Sequence, residues 1–269
     1  MESYLVAVIQ GIVEGLTEFL PVSSTGHLIL SGNLLGFSGD VASTFEVVIQ
    51  LGAILAIAIL YRKRVLSLFA LAPRKANGLS LLHILVAMIP ASVVGLATHK
   101  FIKHYLFSPK TVLLGLVVGG LFMIFAERIG KRVTAGNLDQ ITIPQAFGIG
   151  VAQCLSLWPG FSRAGATISG GLIAGLDRKT AAEFSFLVAI PIMVAASGLD
   201  LLSAIKDHLL HAADLGFFAV GFVISFVVAW LAVVWFLKLL ERVKLTPFAI
   251  YRFIVALVYG GLLLTGIVK

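Results

Sequence analysis

Long apolar runs alternate with short polar segments along most of the chain. A helix needs about 17 to 25 apolar residues to cross a bilayer, and the pattern predicts six such helices. They lie at about residues 43–61, 80–98, 111–127, 182–203, 215–238 and 247–268. The strands of a membrane barrel would instead alternate polar and apolar residues. The sequence therefore predicts an all-α polytopic membrane protein in which residues 1–269 form a single membrane domain.

Two further apolar segments are interrupted by a proline, at Pro21 and at Pro159. The predicted helices on either side of each proline are too short to cross a membrane alone. We therefore expect each pair to form a re-entrant helix–loop–helix hairpin that enters and returns on the same side. Non-helical backbone at that depth is tolerated only where it packs against protein or lines a cavity. Each half of the chain is expected to contain one hairpin and three membrane-spanning helices.

Composition agrees with this class of protein. Hydrophobic residues make up 59% of the chain and charged residues 12%, whereas soluble domains contain about 25% charged residues. The net charge of +7 does not indicate nucleic-acid binding, because the Lys and Arg residues lie in short clusters between the apolar runs. The first of them is Arg62, so we expect no cleaved signal peptide. The single cysteine, Cys154, matches no metal-ligand spacing.

The two interrupted segments resemble each other and indicate a duplication. A single offset pairs Pro21 with Pro159, Ser24 with Ser162, and Ser108-Pro109 with Thr246-Pro247. Residues 1–135 and 136–269 are therefore predicted to be two copies of one unit. Because each copy has an odd number of spans, the second enters the membrane from the opposite face, which makes this an inverted-topology repeat.

The positive-inside rule predicts the orientation. This layout puts Arg62, Lys63, Arg64, Arg74, Lys75, Arg128, Lys131, Arg132, Arg178, Lys179, Lys238, Arg242 and Lys244 on one side and Lys100, Lys103, Lys110, Lys206 and Lys269 on the other. The larger group is predicted to be cytoplasmic. The first hairpin, and with it the active site, is then expected to open to the extracytoplasmic side.

Glu14 and Glu18 lie four residues apart, which places both carboxylates on one face of a helix. A carboxylate at bilayer depth costs about 3 kcal/mol even on a lenient scale, so such residues indicate chemistry or transport. Mg²⁺ is the expected partner, because one or two carboxylates usually hold it while phosphate oxygens fill other positions. The alternative is a protonated or snorkelling pair near the headgroups.

The turn after Pro21 supplies hydroxyl and backbone N–H groups from Ser23, Ser24 and Thr25 at the start of the next helix. Ser24 is the predicted N-cap and a candidate nucleophile. Helix N-termini attract phosphate, so this turn is a candidate phosphate cradle. His27 is a candidate acid or base. Simple capping by the serines and a structural role for the histidine are the alternatives.

In the second segment, Ser162 is the matching N-cap and Arg163 follows it. A guanidinium stays protonated, so at bilayer depth it needs an anion, and its fork suits phosphate oxygens. Thr167 adds a hydroxyl one turn later and Gly160 allows close backbone approach, so Gly160, Ser162 and Thr167 are candidate substrate-binding residues. The alternative for Arg163 is an internal salt bridge to the acidic pair. Elsewhere, Glu46 and Arg252 lie inside apolar runs, where each has either a site role or a structural pairing.

Taken together, these motifs closely resemble those of the bacterial undecaprenyl-diphosphate phosphatases of the bacitracin-resistance type. The resemblance rests on Glu14-x-x-x-Glu18, Pro21-Val-Ser-Ser-Thr-Gly-His27 and Pro159-Gly-Phe-Ser-Arg163 followed by Thr167, and it runs over almost the full length. It implies hydrolysis of undecaprenyl diphosphate in the plasma membrane, with Mg²⁺ or Ca²⁺ as cofactor, to recycle the lipid carrier for peptidoglycan synthesis. It also implies functional positions at Glu14, Glu18, Ser24, His27, Ser162, Arg163 and Thr167. Many members have serine where this chain has Ala164.

The mechanism expected on this basis is metal-assisted phosphoryl transfer. Glu14 and Glu18 would hold the metal, Arg163 and the helix starts would stabilise developing charge, and Ser24 or a water would attack with His27 or a glutamate as base. The alternative function is a transporter or flippase for polyprenyl phosphate or another anion, because inverted repeats with broken helices are typical of transporters. Polyprenyl diphosphate and membrane lipid are the expected partners, and a homodimer is left open.

Overall fold

The structure, a computed structural model, describes residues 3–69, 78–106, 108–130, 132–207 and 214–266. Four basic residues that enter the orientation prediction, Arg74, Lys75, Lys131 and Lys269, lie outside these ranges. The described residues form eleven α-helices, two short 3₁₀ helices and no β-strand.

Six of the eleven helices are long and apolar enough to cross a membrane. The α-helices are α1 (Tyr4–Thr17), α2 (Ser24–Leu35), α3 (Asp40–Leu60), α4 (Arg62–Phe69), α5 (Leu81–Tyr105), α6 (Pro109–Ile129), α7 (Ile143–Gln153), α8 (Arg163–Ile173), α9 (Arg178–Lys206), α10 (Leu215–Leu240) and α11 (Thr246–Leu264). The candidate spans are α3, α5, α6, α9, α10 and α11, one for each predicted run. The chain is therefore an all-α polytopic membrane protein, as the pattern predicted.

The helix boundaries differ from the predicted ones by up to seven residues, and the largest difference is at the end of α5, which lies at Tyr105. The largest difference at a helix start is in α9, which begins at Arg178 because the Asp177 side chain accepts a hydrogen bond from the Thr180 N–H at 2.7 Å. This N-cap satisfies one of the free N–H groups of the first turn. Periodicity of apolar residues does not detect that turn, because it is polar.

The helices beside Pro21 and Pro159 are short. Helices α1 and α2 contain 14 and 12 residues, and α7 and α8 contain 11 each. At 1.5 Å per residue the longest of them rises about 21 Å, less than the roughly 30 Å of a hydrocarbon core. Helix α1 packs against α2, and α7 packs against α8. We call these pairs hairpin 1 (α1 and α2) and hairpin 2 (α7 and α8).

The two halves of the chain pack across each other. Helix α1 lies against α10 and α7 against α5, while α3 meets α9 and α6 meets α11. A two-fold relation between the halves would produce each of these pairings, which supports the inverted repeat. The repeat and its boundaries remain predictions.

Glycines allow hairpin 1 to approach the second half closely. A Cβ atom at Gly15 would lie 2.7 Å from the carbonyl oxygen of Ser225 in α10, and one at Gly52 would lie 2.5 Å from that of Phe222. Small residues at such contacts are typical of helix packing in membranes. The packing fixes α1 and α3 against α10 and places the polar turn of hairpin 1 inside the protein.

Candidate active site

Both hairpins turn through a serine with an unusual backbone conformation. Ser23 and Ser162 each have φ of 75°, and no other non-glycine residue has a positive φ in the ranges that the structure describes. The Ser23 hydroxyl accepts a hydrogen bond from the Gly26 N–H at 3.4 Å, and the Ser162 hydroxyl accepts one from the Gly165 N–H at 3.1 Å. Such backbone costs about 1–3 kcal/mol per residue and is concentrated at functional sites.

The prediction that Ser24 caps α2 is wrong, because Ser23 is the cap and Ser24 is the first helical residue. Ser162 caps α8 as expected. One residue separates the proline from the cap in hairpin 1 and two separate them in hairpin 2, so the prolines and the caps cannot both align. When the caps are matched, Ser24 corresponds to Arg163 and Glu14 corresponds to Gln153.

Glu18 binds both of the residues that follow the caps. The Ser24 hydroxyl donates to Oε2 of Glu18 at 2.5 Å, and Nη2 of Arg163 donates to Oε1 at 3.0 Å. The side chain of Glu18 is 6% exposed and that of Arg163 is 15% exposed. The two hairpins therefore meet at one buried carboxylate. The internal salt bridge, which was the alternative for Arg163, is present in this structure.

Further contacts hold the Arg163 guanidinium in place. Nη1 donates to the carbonyl oxygen and to the hydroxyl of Ser185, both at 3.3 Å. The ring of Phe19 lies 5.4 Å from the guanidinium carbon, within range of a cation–π interaction. The Nε atom is buried and has no hydrogen-bond partner among the described residues. The buried Nε–H is therefore the one N–H of this guanidinium without a partner among the described residues.

Thr167 lies behind Arg163, not on the cavity wall. Its hydroxyl donates to the Arg163 carbonyl oxygen at 2.8 Å and lies 2.6 Å from the Ser185 hydroxyl. Thr167 is fully buried, so it contacts the site through Ser185, a residue that was not predicted. A serine inside the apolar run of α9 is the signal that could have identified it.

A cavity of about 140 Å³ lies between the turns of the two hairpins. Predicted residues on its wall are Glu18, Ser23, Ser24, Thr25, Gly160, Ser162 and Arg163. Gln50, Ser156, Trp158 and Met193 also line it and were not predicted. Gln50 is a polar residue in an apolar run, and Ser156 and Trp158 directly precede the second motif. These residues stand out in the sequence, but no local motif indicates what they do.

Gly160 has φ of 91° and lies against α6. A Cβ atom there would be 2.2 Å from the carbonyl oxygen of Val112. The close backbone approach expected at this glycine is therefore an approach to α6, which presses the second turn against that helix.

Glu14 lines a second cavity of about 480 Å³, which shares Ser24, Thr25 and Gln50 with the first. We call it the acidic chamber, because its wall carries the carboxylates of Glu14, Asp40, Glu46, Asp200 and Asp207. The chamber lies where α3 begins and α9 ends. It adjoins the smaller cavity and extends the polar surface around Ser24.

The donor set of Glu14 fits a divalent cation. Glu14 is 1% exposed, and neither carboxylate oxygen has a hydrogen-bond partner among the described residues. A buried unpaired carboxylate is costly, and hard oxygen donors are the ligands that Mg²⁺ and Ca²⁺ prefer. Groups of three or more His, Cys, Asp or Glu in a metal-binding arrangement do not occur within the described ranges. Of the predicted pair, Glu14 therefore has both oxygens without a described partner, whereas the oxygens of Glu18 contact Ser24 and Arg163.

His27 points away from Ser24. Its Nδ1 donates to the Ser23 carbonyl oxygen at 2.7 Å, and its Nε2 lies 2.8 Å from the Tyr251 hydroxyl. Because a carbonyl oxygen can only accept, Nδ1 carries the proton and Nε2 accepts from Tyr251. The two rings are stacked, with an interplanar angle of 4°. Of the two candidate bases, the structure brings Glu18 and not His27 into contact with Ser24.

Comparison with known proteins shows the family of this chain. The model of the bacitracin resistance protein BacA family matches residues 7–258. The chain belongs to this family. Its relatives include proteins named undecaprenyl-diphosphatase 1 from Bacillus anthracis, 57% identical, and from Bacillus thuringiensis (strain Al Hakam), 56% identical. Each match covers 261 residues, which is 96% of this chain and 98% of the relative. The resemblance inferred from the motifs is confirmed.

The BacA family match includes both hairpins and reaches into α11. Tyr251 and Arg252, which contact hairpin 1 from α11, therefore lie inside the matched region, as do all the predicted site residues. The site of this BacA-family chain is built from residues that are distant in sequence. All of them lie within the residues that the family model matches.

Proposed function

We propose that this protein is an integral-membrane phosphatase that hydrolyses undecaprenyl diphosphate to undecaprenyl phosphate and inorganic phosphate. Family membership and the names of the relatives support this activity. The observation that carries the chemistry is the single carboxylate of Glu18, which contacts both the Ser24 hydroxyl and the Arg163 guanidinium. The product is the lipid carrier that peptidoglycan synthesis uses.

In the reaction, Ser24 acts as nucleophile and Glu18 as general base. The hydroxyl already donates to Oε2 of Glu18, so its proton passes to that oxygen as Oγ bonds to the terminal phosphorus. The bond from that phosphorus to the bridging oxygen breaks, and the electron pair leaves with undecaprenyl phosphate. Water then hydrolyses the phosphoserine, releases inorganic phosphate and restores the Ser24 hydroxyl.

Arg163 and the two helix starts stabilise the charge on the transferred phosphoryl group. Nη2 of Arg163 turns from Glu18 to a phosphate oxygen when the substrate enters, and the unpartnered Nε supplies a second donor. The starts of α2 and α8 line the same cavity, and their free N–H groups favour negative charge. Stabilisation of this kind by preorganised donors is usually the largest contribution to catalysis.

Glu14 and Glu18 would hold the cofactor, Mg²⁺ or Ca²⁺. When bound there, the metal supplies positive charge that neutralises the diphosphate and polarises its phosphoryl oxygens. Glu14 contributes two oxygens that have no other partner among the described residues.

The acidic chamber gives the site its proposed orientation. Asp40 begins α3 and Asp207 caps the end of α9, whereas Arg62 follows α3 and Arg178 begins α9. The positive-inside rule places the basic ends in the cytoplasm, so the chamber opens to the extracytoplasmic side. The polyprenyl tail stays in the bilayer, because exposing it to water costs about 0.8 kcal/mol per CH₂.

The activity is tested with protein purified in detergent and undecaprenyl diphosphate as substrate. We expect release of inorganic phosphate, and loss of that release in Glu18→Gln and in Arg163→Ala. Arg64→Ala is the control, because Arg64 pairs with Asp139 and neither residue lines the cavity or the acidic chamber. Binding of the lipid without phosphate release would support the transporter instead. Acid quenching followed by mass spectrometry identifies the phosphoserine; its absence during turnover would replace Ser24 by water as nucleophile.

A further inference from the structure

Arg252, in α11, is a fully buried cation that does not line the cavity between the hairpins. Its hydrogen bonds go to Leu116 O (3.1 Å), Gly115 O (3.1 Å), Gly160 O (2.8 Å), Pro21 O (3.5 Å) and Met123 Sδ (3.4 Å). Within the described residues no carboxylate contacts it. A buried cation without a counter-ion is costly, so its retention requires an explanation.

Two of these carbonyl oxygens belong to the turns of the hairpins and occupy equivalent positions. Pro21 lies two residues before the cap Ser23, and Gly160 lies two residues before the cap Ser162. One guanidinium therefore joins the same point of both turns. Its remaining backbone contacts, to Gly115 and Leu116, anchor it to α6.

The surrounding helices leave space for the guanidinium. A Cβ atom at Gly119 in α6 would lie 2.2 Å from Nη2 of Arg252, and one at Gly165 in α8 would lie 3.1 Å from Nη1. A methyl group at Gly119 would also lie 2.6 Å from the carbonyl oxygen of Phe161 in the second turn. The absence of side chains at these glycines is what lets Arg252 reach both turns.

We propose that Arg252 is a positioning residue, which fixes the two turns relative to each other and so holds Ser24 and Arg163 where both contact Glu18. Ser24 lies three residues after Pro21, and Arg163 lies three residues after Gly160. A shift of the Pro21 carbonyl therefore moves Ser24, and a shift of the Gly160 carbonyl moves Arg163. A displacement of about 1 Å is enough to lower a rate about 100-fold. This inference rests on the proposed phosphatase function.

A long-range effect of the Arg252 charge on the diphosphate is the competing explanation. Lysine separates the two, because it keeps the charge and lacks the planar fork that spans two carbonyls. Positioning predicts that Arg252→Lys and Arg252→Gln both lower kcat about 100-fold, with KM for undecaprenyl diphosphate within about threefold of wild type. A charge effect predicts that Arg252→Lys keeps the wild-type kcat and that only Arg252→Gln changes the kinetics.

Arg178→Lys is the matched control for loss of an arginine fork. Arg178 makes two hydrogen bonds to Glu127, at 2.7 and 3.1 Å, and does not line the cavity. The kcat of the Arg178→Lys variant is expected to stay near that of wild type. If Arg178→Lys lowers kcat as much as Arg252→Lys does, general destabilisation explains both and the positioning role is rejected.

A second variant keeps the inference testable if the Arg252 variants do not fold. Gly119→Ala displaces the guanidinium without removing it, and Gly261→Ala is its control, because no atom lies within 4 Å of a Cβ at Gly261. We expect kcat to fall in Gly119→Ala and to stay near wild type in Gly261→Ala. Equal kcat in both variants would overturn the proposal.

Distance measurements give a readout independent of turnover. In a Cys154→Ser background, spin labels at two exposed positions, Leu34 in α2 and Ile173 in α8, report the separation of the hairpins. Arg252→Lys should broaden or shift this distance distribution, and Arg178→Lys should not. An unchanged distribution in Arg252→Lys overturns positioning even if kcat falls. If wild type releases no phosphate, the proposed function fails first; if wild type and Arg252→Lys are equally active, only positioning fails.

Discussion

Ser24 and Arg163 occupy the same position in the two hairpins, directly after the cap serine, and both contact the carboxylate of Glu18. The two turns have the same backbone conformation at the cap, and they present a hydroxyl from hairpin 1 and a guanidinium from hairpin 2. Phosphoryl transfer needs this difference, because the nucleophile and the group that neutralises phosphate have different tasks. Similar turns with different side chains supply both.

Ser24 and Glu18 are expected to act as one unit. Glu18→Gln and Ser24→Ala should each lower kcat by about 10²–10⁴-fold, the usual contribution of a positioned base. Because either change disables the same step, the double variant should be no slower than the slower single variant. Phosphate release under saturating substrate measures this. Ser43→Ala, in the acidic chamber, is the control with an expected kcat near wild type. Multiplied losses in the double variant would mean that the two residues act in separate steps.

Thr167 is expected to act through Arg163. Its hydroxyl is 2.6 Å from that of Ser185, which in turn contacts Arg163. Thr167→Val should lower kcat/KM about fivefold, for the loss of about 1 kcal/mol of hydrogen bonding. Arg163→Lys should lower it by about 10²–10³-fold.

A double-mutant cycle checks this route. In the Arg163→Lys background, Thr167→Val should have no further effect, because the guanidinium that it supports is gone. An unchanged fivefold loss in that background would show that Thr167 acts on the substrate directly, which is the role predicted from the sequence.

The apolar pattern predicted the helices well, because the length and composition of a membrane span are set by the bilayer and are local properties of the sequence. The turn of hairpin 1 was placed one residue late, because the strained φ of Ser23 and the extra residue before Ser162 leave no periodic signal. Arg252 was predicted to have either a site role or a structural pairing, but its contacts with both turns and the contact between His27 and Tyr251 were not predicted. They depend on which side of α11 faces hairpin 1, and that is decided by packing between distant segments.

Glu14→Gln should test metal binding independently of catalysis. In metal-free protein glutamine keeps the size of the side chain and replaces a buried carboxyl group that has no described partner, so the unfolding midpoint should stay within about 2–4 °C of wild type, the shift that about 1 kcal/mol produces. Mg²⁺ should raise the midpoint of wild type and not that of Glu14→Gln, because binding to the folded state stabilises it. Thermal unfolding in detergent with and without Mg²⁺ measures both. Asp200→Asn, in the same chamber, should respond to Mg²⁺ like wild type; an equal response in Glu14→Gln would place the metal elsewhere.

Tyr251→Phe distinguishes the two contacts of His27. Removing the hydroxyl costs one neutral hydrogen bond, about 1 kcal/mol, and leaves the bond from Nδ1 to the Ser23 carbonyl. We expect kcat to fall less than about tenfold, and to fall much further in His27→Ala, which also loses the bond to the turn. Equal losses in the two variants would assign the function of His27 to Nε2. Steady-state phosphate release decides between them.

The ion pair between Arg163 and Glu18 has a consequence for how the lipid carrier leaves. An incoming headgroup must compete with a carboxylate that already neutralises the guanidinium at 3.0 Å. A diphosphate carries more negative charge than the monophosphate left after cleavage, so we expect Glu18 to displace the product from Arg163 more readily than it displaces the substrate. The same ion pair that the substrate must break would thereby favour release of the product.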